Sequence, residues 1–285
     1  MFGWVWRGLR TGVLTTSYPA RPAAMPDAYR GRPQISQDLL DEQTITSLIA
    51  VCPTQAFTRS PRGLQLDLGR CVQCGLCAMI APTVVTMSPD FELTVRQRLD
   101  LVLEVPEQPQ ETMTSVLRTG IATRIRDLRR SVHIRHIDTG SDGAIEQEIH
   151  ALTNPYYDIS RLGLFFTPSP RHADILLVTG SLTHAMVEPL QRTYAAMPSP
   201  KLVIAAGTDA CGGSFFQQSD ATVGSIAAAL PVDVFIPGDP PPPLALLYGL
   251  LVALGRLDQR LPPQPSLTSP IHASSKTMSP SEGEQ

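Results

Sequence analysis

The sequence predicts an α/β protein in two parts, a small α+β unit followed by a larger unit built on a parallel sheet. Three observations predict it. Four cysteines crowd into one N-terminal window, as Cys52 and then Cys71, Cys74 and Cys77; a polar, proline-broken stretch from Pro106 to Glu111 follows; beyond it, continuous apolar runs alternate with a helical pattern. A chain of 285 residues, 42% of them apolar, is long enough for two domains and rich enough in apolar side chains to bury a core.

Residues 1–34 read as an extended docking arm, punctuated by Pro19, Pro22, Pro26 and Pro33 and opened by a short amphipathic stretch, Met1 to Arg10, too short to span a bilayer. Residues 35–106 form the small unit, with strands expected at Gly63–Leu68 and Glu92–Val95. Residues 107–116 have linker composition, and a basic amphipathic segment, Val116 to Arg130, opens the larger unit at 117–262. There Ser131–Ile137, Ala173–Thr179, Leu202–Ala206 and Val232–Ile236 read as strands, and Leu182–Met197 carries Met186, Leu190, Tyr194 and Met197 at helical spacing. Strand, helix, strand in that order implies a parallel sheet with crossover helices. Pro240 to Pro243 end the last strand, and the apolar run Leu244–Leu254 fits a packed helix better than a membrane span. Residues 263–285, rich in Ser and Pro, are expected to be disordered.

The net charge of −3 and the lack of a Lys/Arg run with interleaved aromatics argue against a nucleic-acid partner. Five cysteines, four of them in two tight motifs, do not make a secreted disulfide framework, which places the chain in the reducing cytoplasm. No Gly-rich phosphate loop follows a strand, and there is neither a Cys–His pair nor a nucleophile elbow. No residue is therefore assigned a catalytic role, and the chain is not expected to be an enzyme on its own.

The run Cys71-Val-Gln-Cys74-Gly-Leu-Cys77 supplies three thiolates from one loop, with Gly75 permitting the turn. In two-cluster bacterial ferredoxins the motif is C-x2-C-x2-C-x3-C-P, and its last cysteine ligates the other cluster. Here Ala81-Pro82 stands at that last position, while the positions preceding Cys52-Pro53 in the same spacing are Leu48, Ile45 and Glu42. One site has lost every ligand. The other keeps all four, so Cys52, Cys71, Cys74 and Cys77 are expected to hold a single 4Fe–4S cluster in a ferredoxin-like domain. Zinc is the alternative for four cysteines, but zinc modules usually pair two C-x-x-C knuckles. Cys211 stands alone and reads as a small buried apolar side chain.

A family resemblance rests on Ser131-Val-His-Ile-Arg-His-Ile-Asp138-Thr-Gly-Ser, Pro155-Tyr-Tyr-Asp158-Ile-Ser-Arg161-Leu-Gly163, Ser169-Pro-Arg171-His172-Ala-Asp174, Thr179-Gly180 and Pro231-Val-Asp233-Val-Phe-Ile-Pro237-Gly238. From about Arg118 to Leu261 the chain resembles the small electron-transfer subunit of energy-converting (group 4) membrane-bound nickel–iron hydrogenases, a family that also includes the corresponding subunit of NADH-quinone oxidoreductase (complex I). Thr11 to Pro19 and the cysteine-bearing unit resemble the separate ferredoxin-like subunit of those hydrogenases, so the chain reads as a fusion of two neighbours in one complex.

The resemblance implies a flavodoxin-like second domain. It also implies partners, namely a large hydrogenase-like or complex I-like subunit and membrane subunits, with this chain peripheral on the cytoplasmic side through them. The family's terminal-cluster cysteines correspond here to Asp142, Ile145, Asp209 and Asp239, while Thr139-Gly140-Ser141, Glu146, Gly207 and Pro240 around them are kept. That second cluster is therefore expected to be lost.

Asp142, Asp209 and Asp239 each follow an expected strand, and parallel sheets gather functional groups at the strands' carboxyl ends. Three outcomes are open for them: aspartates solvated or paired with arginines, a divalent cation such as magnesium or calcium on oxygen ligands, or a carboxylate-ligated cluster or proton-handling site. His133 and His136 are expected on one face of their strand without a third metal ligand, and Arg171 and His172 in a loop that packing fixes. The function implied is an iron–sulfur electron-transfer subunit of a membrane-associated oxidoreductase complex. The alternative is a degenerate scaffold whose remaining cluster is structural or sensory.

Overall fold

Asp41 starts the first packed helix: its carboxylate accepts the Thr44 N–H at 2.7 Å and so satisfies one of the donors a helix start leaves unpaired. The helix, Glu42–Val51, buries Ile45 and Leu48, spaced to share one face, and stops at Cys52-Pro53. In the computed structural model, which describes residues 3–61, 63–105, 131–217 and 219–261, this is α2 of the chain. It is preceded by α1 (Gly3–Thr11) and β1 (Pro33–Ile35) and followed by β2 (Phe57–Ser60), β3 (Gly63–Asp67), α3 (Leu76–Ile80), β4 (Val85–Met87) and β5 (Val102–Val105). Strand β1 pairs antiparallel with β4, and β2, β3 and β5 form an antiparallel sheet. Leu64 and Leu66 alternate inward on β3, into the apolar cluster that also holds Ile45 and Leu48 of α2, and Gln65 between them is only partly buried.

The larger unit contains β6 (Val132–Asp138), α4 (Ala144–Ala151), β7 (Leu164–Phe166), β8 (Ile175–Thr179), β9 (Leu182–Thr183), α5 (His184–Ala196), β10 (Leu202–Ala206), α6 (Thr208–Gly212), β11 (Thr222–Gly224), β12 (Val234–Ile236) and α7 (Pro243–Ala253). Five parallel strands run in the order β12-β10-β8-β6-β7, which is the flavodoxin-like 2-1-3-4-5 arrangement with its switch point between β6 and β8. Strands β8 and β10 are buried at every residue, as strands covered on both faces must be. One face carries α4 and α7, whose 11 residues are all buried. The other face carries α5 and the cysteine-bearing unit, whose Leu64, Leu66 and Leu101 belong to the same apolar cluster as Leu176, Val178 and Val203 of the sheet.

Polar contacts fasten the two units together. Arg98 makes a bidentate ion pair with Asp67 at 2.7 and 2.8 Å and donates through Nε to the Cys211 carbonyl at 2.8 Å. Burial alone would lower the Arg98 pKa, but the Asp67 carboxylate outweighs it and holds it above its ordinary value.

Several expectations change. Glu92–Val95 is not a strand of the small unit: only Val95 pairs, through reciprocal hydrogen bonds with Phe235, so it caps the β12 edge of the large sheet. His133 and His136 do not share a face, because an odd separation on a strand of period two places them on opposite sides. Accordingly Ile134 and Ile137 enter different cores. Leu182 and Thr183, read as helix, pair with β11 before α5 begins. The linker at 107–116, the basic segment to Arg130 and the tail at 263–285 lie outside the described residues.

Candidate functional site

The cysteine loop is shaped by backbone that only a few residues tolerate. Gln73 and Gly75 both take positive φ, 54° and 81°, which turns the chain sharply between Cys71 and Cys77 and starts α3 at Gly75. Cys52 caps the C-terminus of α2 on the other side. All four cysteines line one pocket, whose remaining walls include the apolar Pro33, Phe57, Val72 and Met87. The Ala56 N–H donates to the Cys52 sulfur at 3.2 Å, and the Arg30 guanidinium donates to the Cys74 carbonyl, placing a fixed positive charge beside the loop.

Burial pushes the Cys71 thiol up to about 12; a backbone hydrogen bond at Gln73 opposes this, and the charges of Cys77, Cys52 and Cys74 add to it. Cys77 is raised by burial in the same way, opposed by a backbone hydrogen bond at Ala78 and reinforced by Cys74 and Cys52. The four thiols thus sit within electrostatic reach of one another. The positions that would serve a second site of this kind are taken up otherwise: Ile45 and Leu48 are in the core and Glu42 pairs with Arg59 at the surface.

The second site lies at the carboxyl ends of the parallel strands. After β6, Asp138 accepts the N–H groups of Gly140 and Ser141, each at 2.8 Å, and so shapes the loop that leads to Asp142 and α4. Asp142 in turn accepts the Ala144 N–H at 2.9 Å. Asp209 is on α6 after β10, and Asp239 follows β12. Burial raises the Asp209 carboxyl, the nearby Ser214 hydroxyl opposes the rise and the Asp142 charge adds to it. Asp239 is pushed up to about 6 by burial, then by Asp209 and Asp142. The three carboxylates thus lie within electrostatic reach of one another at the same end of the sheet.

The fourth position does not supply a ligand. Ile145 is 1% exposed, in the first turn of α4, and its Cδ1 stands 2.1 Å from where a Cβ on Gly207 would be. Gly207, at φ 92°, must stay a glycine to let it in.

Beside the aspartates is a polar cluster that sequence reading did not assemble. Glu146 accepts from Ser141 at 2.8 Å and from Thr179 at 2.5 Å, and His136 Nε2 is 2.9 Å from the Thr179 hydroxyl and 3.5 Å from Glu146. Burial lowers the His136 pKa, against the opposing charges of Glu146 and Asp138. His133 is instead held near Asp174, at 3.7 Å, and Phe165. Arg171 and His172 are exposed in a short 3-10 turn. Cys211 is fully buried, and its thiol faces the Ala205 and Ile236 carbonyls at 3.6 Å, far up the titration scale at about 12 because of burial.

The two sites are neighbours. The Gly69 carbonyl, two residues before Cys71, lies 2.4 Å from where a Cβ on Gly212 would stand, so the cysteine loop rests against the helix that carries Asp209. Among the described residues, no group of three or more His, Cys, Asp or Glu is arranged to hold a single metal ion.

Residues 143–253 match the protein family described as the 20 kDa subunit of NADH ubiquinone oxidoreductase. Over 141 residues the chain is 43% identical to the probable membrane-bound hydrogenase subunit mbhJ of Pyrococcus furiosus, covering 50% of this chain and 84% of that protein. It is 38% identical over 159 residues to formate hydrogenlyase subunit 7 of Escherichia coli, covering 56% of this chain but only 61% of the relative's length. A subunit of the archaeal membrane-bound sulfane sulfur reductase aligns with 46% of this chain and 72% of its own at 28% identity and a TM-score of 0.42.

Proposed function

Since the chain belongs to the family of the NADH ubiquinone oxidoreductase 20 kDa subunit, we propose that it is an iron–sulfur electron-transfer subunit of a membrane-associated oxidoreductase complex. The complex would resemble energy-converting hydrogenase or NADH-quinone oxidoreductase, and the chain would carry one 4Fe–4S cluster on Cys52, Cys71, Cys74 and Cys77. The observation that carries this reading is that these four thiols line one pocket with apolar walls.

The donor set fits the group. Thiolates are the usual ligands of such clusters, and when bound the cluster supplies one-electron transfer at a potential tuned by hydrogen bonds to its sulfurs and by burial. In this chain the Ala56 N–H and the backbone hydrogen bonds at Gln73 and Ala78 offset thiolate charge, and Pro33, Phe57 and Met87 exclude water. The order β1-α2-β2-β3-α3-β4, with β1 on β4 and β2 on β3, supports reading this unit as a ferredoxin-like domain at about 35–106, fused to a hydrogenase small-subunit-like domain at about 117–262.

The partners proposed are the large hydrogenase-like or complex I-like subunit and the membrane subunits of the same complex, with this chain peripheral on the cytoplasmic side. Among the described residues no helix is long and apolar enough to cross a membrane. Anaerobically purified protein is expected to contain about four irons and four sulfides per chain, from the ligation pattern. About eight of each would overturn the single-cluster reading, and none would overturn the cluster.

A second reading is favoured by the buried Ile145 and the three aspartates, at the positions that the resemblance pairs with the family's terminal-cluster cysteines. In it, the second domain is a redox-inactive scaffold, and the cluster is structural or sensory. The two readings separate by potentiometry of the assembled complex, since a relay cluster must titrate within the complex's working range. A divalent cation among Asp142, Asp209 and Asp239 remains part of either reading. It would have to draw the carboxylates closer, and thermal stability would then rise with magnesium or calcium.

A further inference from the structure

The chain begins its described course with a helix that no described residue buries. Helix α1, Gly3–Thr11, buries none of its residues: Trp4 is 76% exposed, Trp6 74% and Leu9 75%, and the apolar run goes on through exposed Val13 and Leu14. A helix of 9 residues is marginal in water by itself and owes its stability to whatever receives its apolar face.

The distribution around the axis says what that is. At helical spacing, Val5 and Leu9 take the centre of one face, Trp4 and Trp6 its two edges, and Arg7 and Arg10 the opposite side. Tryptophans flanking an aliphatic strip suit headgroup depth, where the ring is half in hydrocarbon and the indole N–H finds polar partners. The charge has a single sign. From Met1 to Pro26 there is no acidic residue and there are three arginines, Arg7, Arg10 and Arg21, in a chain whose net charge is −3. At about 1.5 Å per residue the helix is far shorter than a bilayer's roughly 30 Å core, so it lies along a surface rather than crossing.

We propose that α1 is an in-plane membrane anchor that seats this chain directly on an anionic lipid surface, independently of any partner subunit. The helix is tethered and not loose. After Gly12, Thr15 donates to the Pro155 carbonyl and Thr16 N–H to the Tyr156 carbonyl, both at 2.8 Å, so lipid contact by α1 fixes how the loop at 155–156 faces the membrane. One short helix gives only weak, reversible binding. Its effect is therefore to orient a subunit that other contacts also retain.

The test is unusually clean because the chain's 2 tryptophans are both in α1, so intrinsic tryptophan emission of the full chain reports on this helix alone. Titration with vesicles of phosphatidylcholine and phosphatidylglycerol is expected to shift the emission to the blue and to carry the protein upward in flotation, with much less effect from phosphatidylcholine alone. Arg7→Gln with Arg10→Gln, both at exposed positions, should weaken partitioning roughly thirtyfold, the loss expected for two basic residues at an anionic surface. Leu9→Ser should weaken it without altering the melting temperature. Absence of a shift at millimolar lipid overturns the proposal and assigns the helix to a protein groove instead. Equal binding to neutral vesicles, or binding indifferent to the arginines, overturns the anionic surface as its target. The measurement needs neither iron nor partner subunits, so its outcome is separate from the cluster reading.

Discussion

The cysteine pocket and the aspartate loops are built alike and lined differently. In both, positive-φ backbone and the start of a short helix bring side chains from separate segments within electrostatic reach: Gln73 and Gly75 with α3 in the first, Gly143 and Gly207 with α4 and α6 in the second. Burial then disfavours the charged form in both, raising Cys71 to about 12 and Asp239 to about 6. The difference lies in what relieves that cost. In the proposed reading, an iron–sulfur cluster relieves it for the four thiols of the apolar pocket. Three carboxylates within electrostatic reach of one another can be relieved by a proton or by a hard cation, not by iron held on sulfur.

The largest effect to expect is on the thiol side. If the proposed cluster is held as inferred, Cys52→Ala should abolish its iron and sulfide together with the visible absorbance, although Cys52 caps α2 and its three fellows lie on a separate loop. Retention of the wild-type spectrum would show that Cys52 is not a ligand and break the comparison at its first term.

On the aspartate side the isoleucine is expected to matter most. Ile145→Ala removes a fully buried side chain wedged over Gly207, for a loss of about 3 kcal/mol in urea unfolding, with iron content unchanged. A loss under about 1 kcal/mol would mean that the loops collapse freely, and that Ile145 is not what holds the site in its present shape.

Between the sites stands Arg98, which joins Asp67, just ahead of the cysteine loop, to the Cys211 carbonyl on α6. Arg98→Ala leaves Asp67 with the Gly69 N–H at 2.9 Å and the longer 3.8 Å contact to Arg70, and should cost about 2 kcal/mol, in the range for hydrogen bonds to charged groups. If the two units are one cooperative structure, unfolding stays a single transition. A split into two transitions, followed by tryptophan-independent probes such as cluster absorbance and far-ultraviolet dichroism, would show that this contact is what couples them.

Much of this was legible in the sequence. The cysteine spacing brought together four residues that the structure places around one pocket, and the apolar runs at Ala173–Thr179 and Leu202–Ala206 became β8 and β10 because strands buried on both faces leave an uninterrupted apolar signal. What sequence missed depended on tertiary partners. Val95 pairs with β12 of the other unit, a choice no local pattern encodes. Strands β7 and β9, of 3 and 2 residues, are too short to show a period. The Ser141–Glu146–Thr179–His136 network joins three segments through hydroxyls, which carry no periodic signal of their own. Arg98 is one of many arginines until the fold sets Asp67 opposite its guanidinium.

The smallest effect has the opposite sign to the others and tests the aspartate loops most directly. A carboxyl held near 6 in the folded chain, against about 4 when unfolded, binds its proton more tightly when folded. Its contribution to stability is thus full below about pH 4 and is lost as pH rises through 6. Asp239→Asn removes that loss. The variant should match wild type near pH 4 and exceed it at pH 8 by about 1 kcal/mol, the full linkage being reduced because the side chain is only partly buried and solvent screens it. A cation among the three aspartates would change the outcome in a recognisable way. With magnesium or calcium present, wild type would gain at pH 8 what Asp239→Asn cannot, and the order of the two melting temperatures would reverse. If the variant is the more stable at pH 8 with or without metal, the loops hold unpaired carboxylates relieved by protons alone.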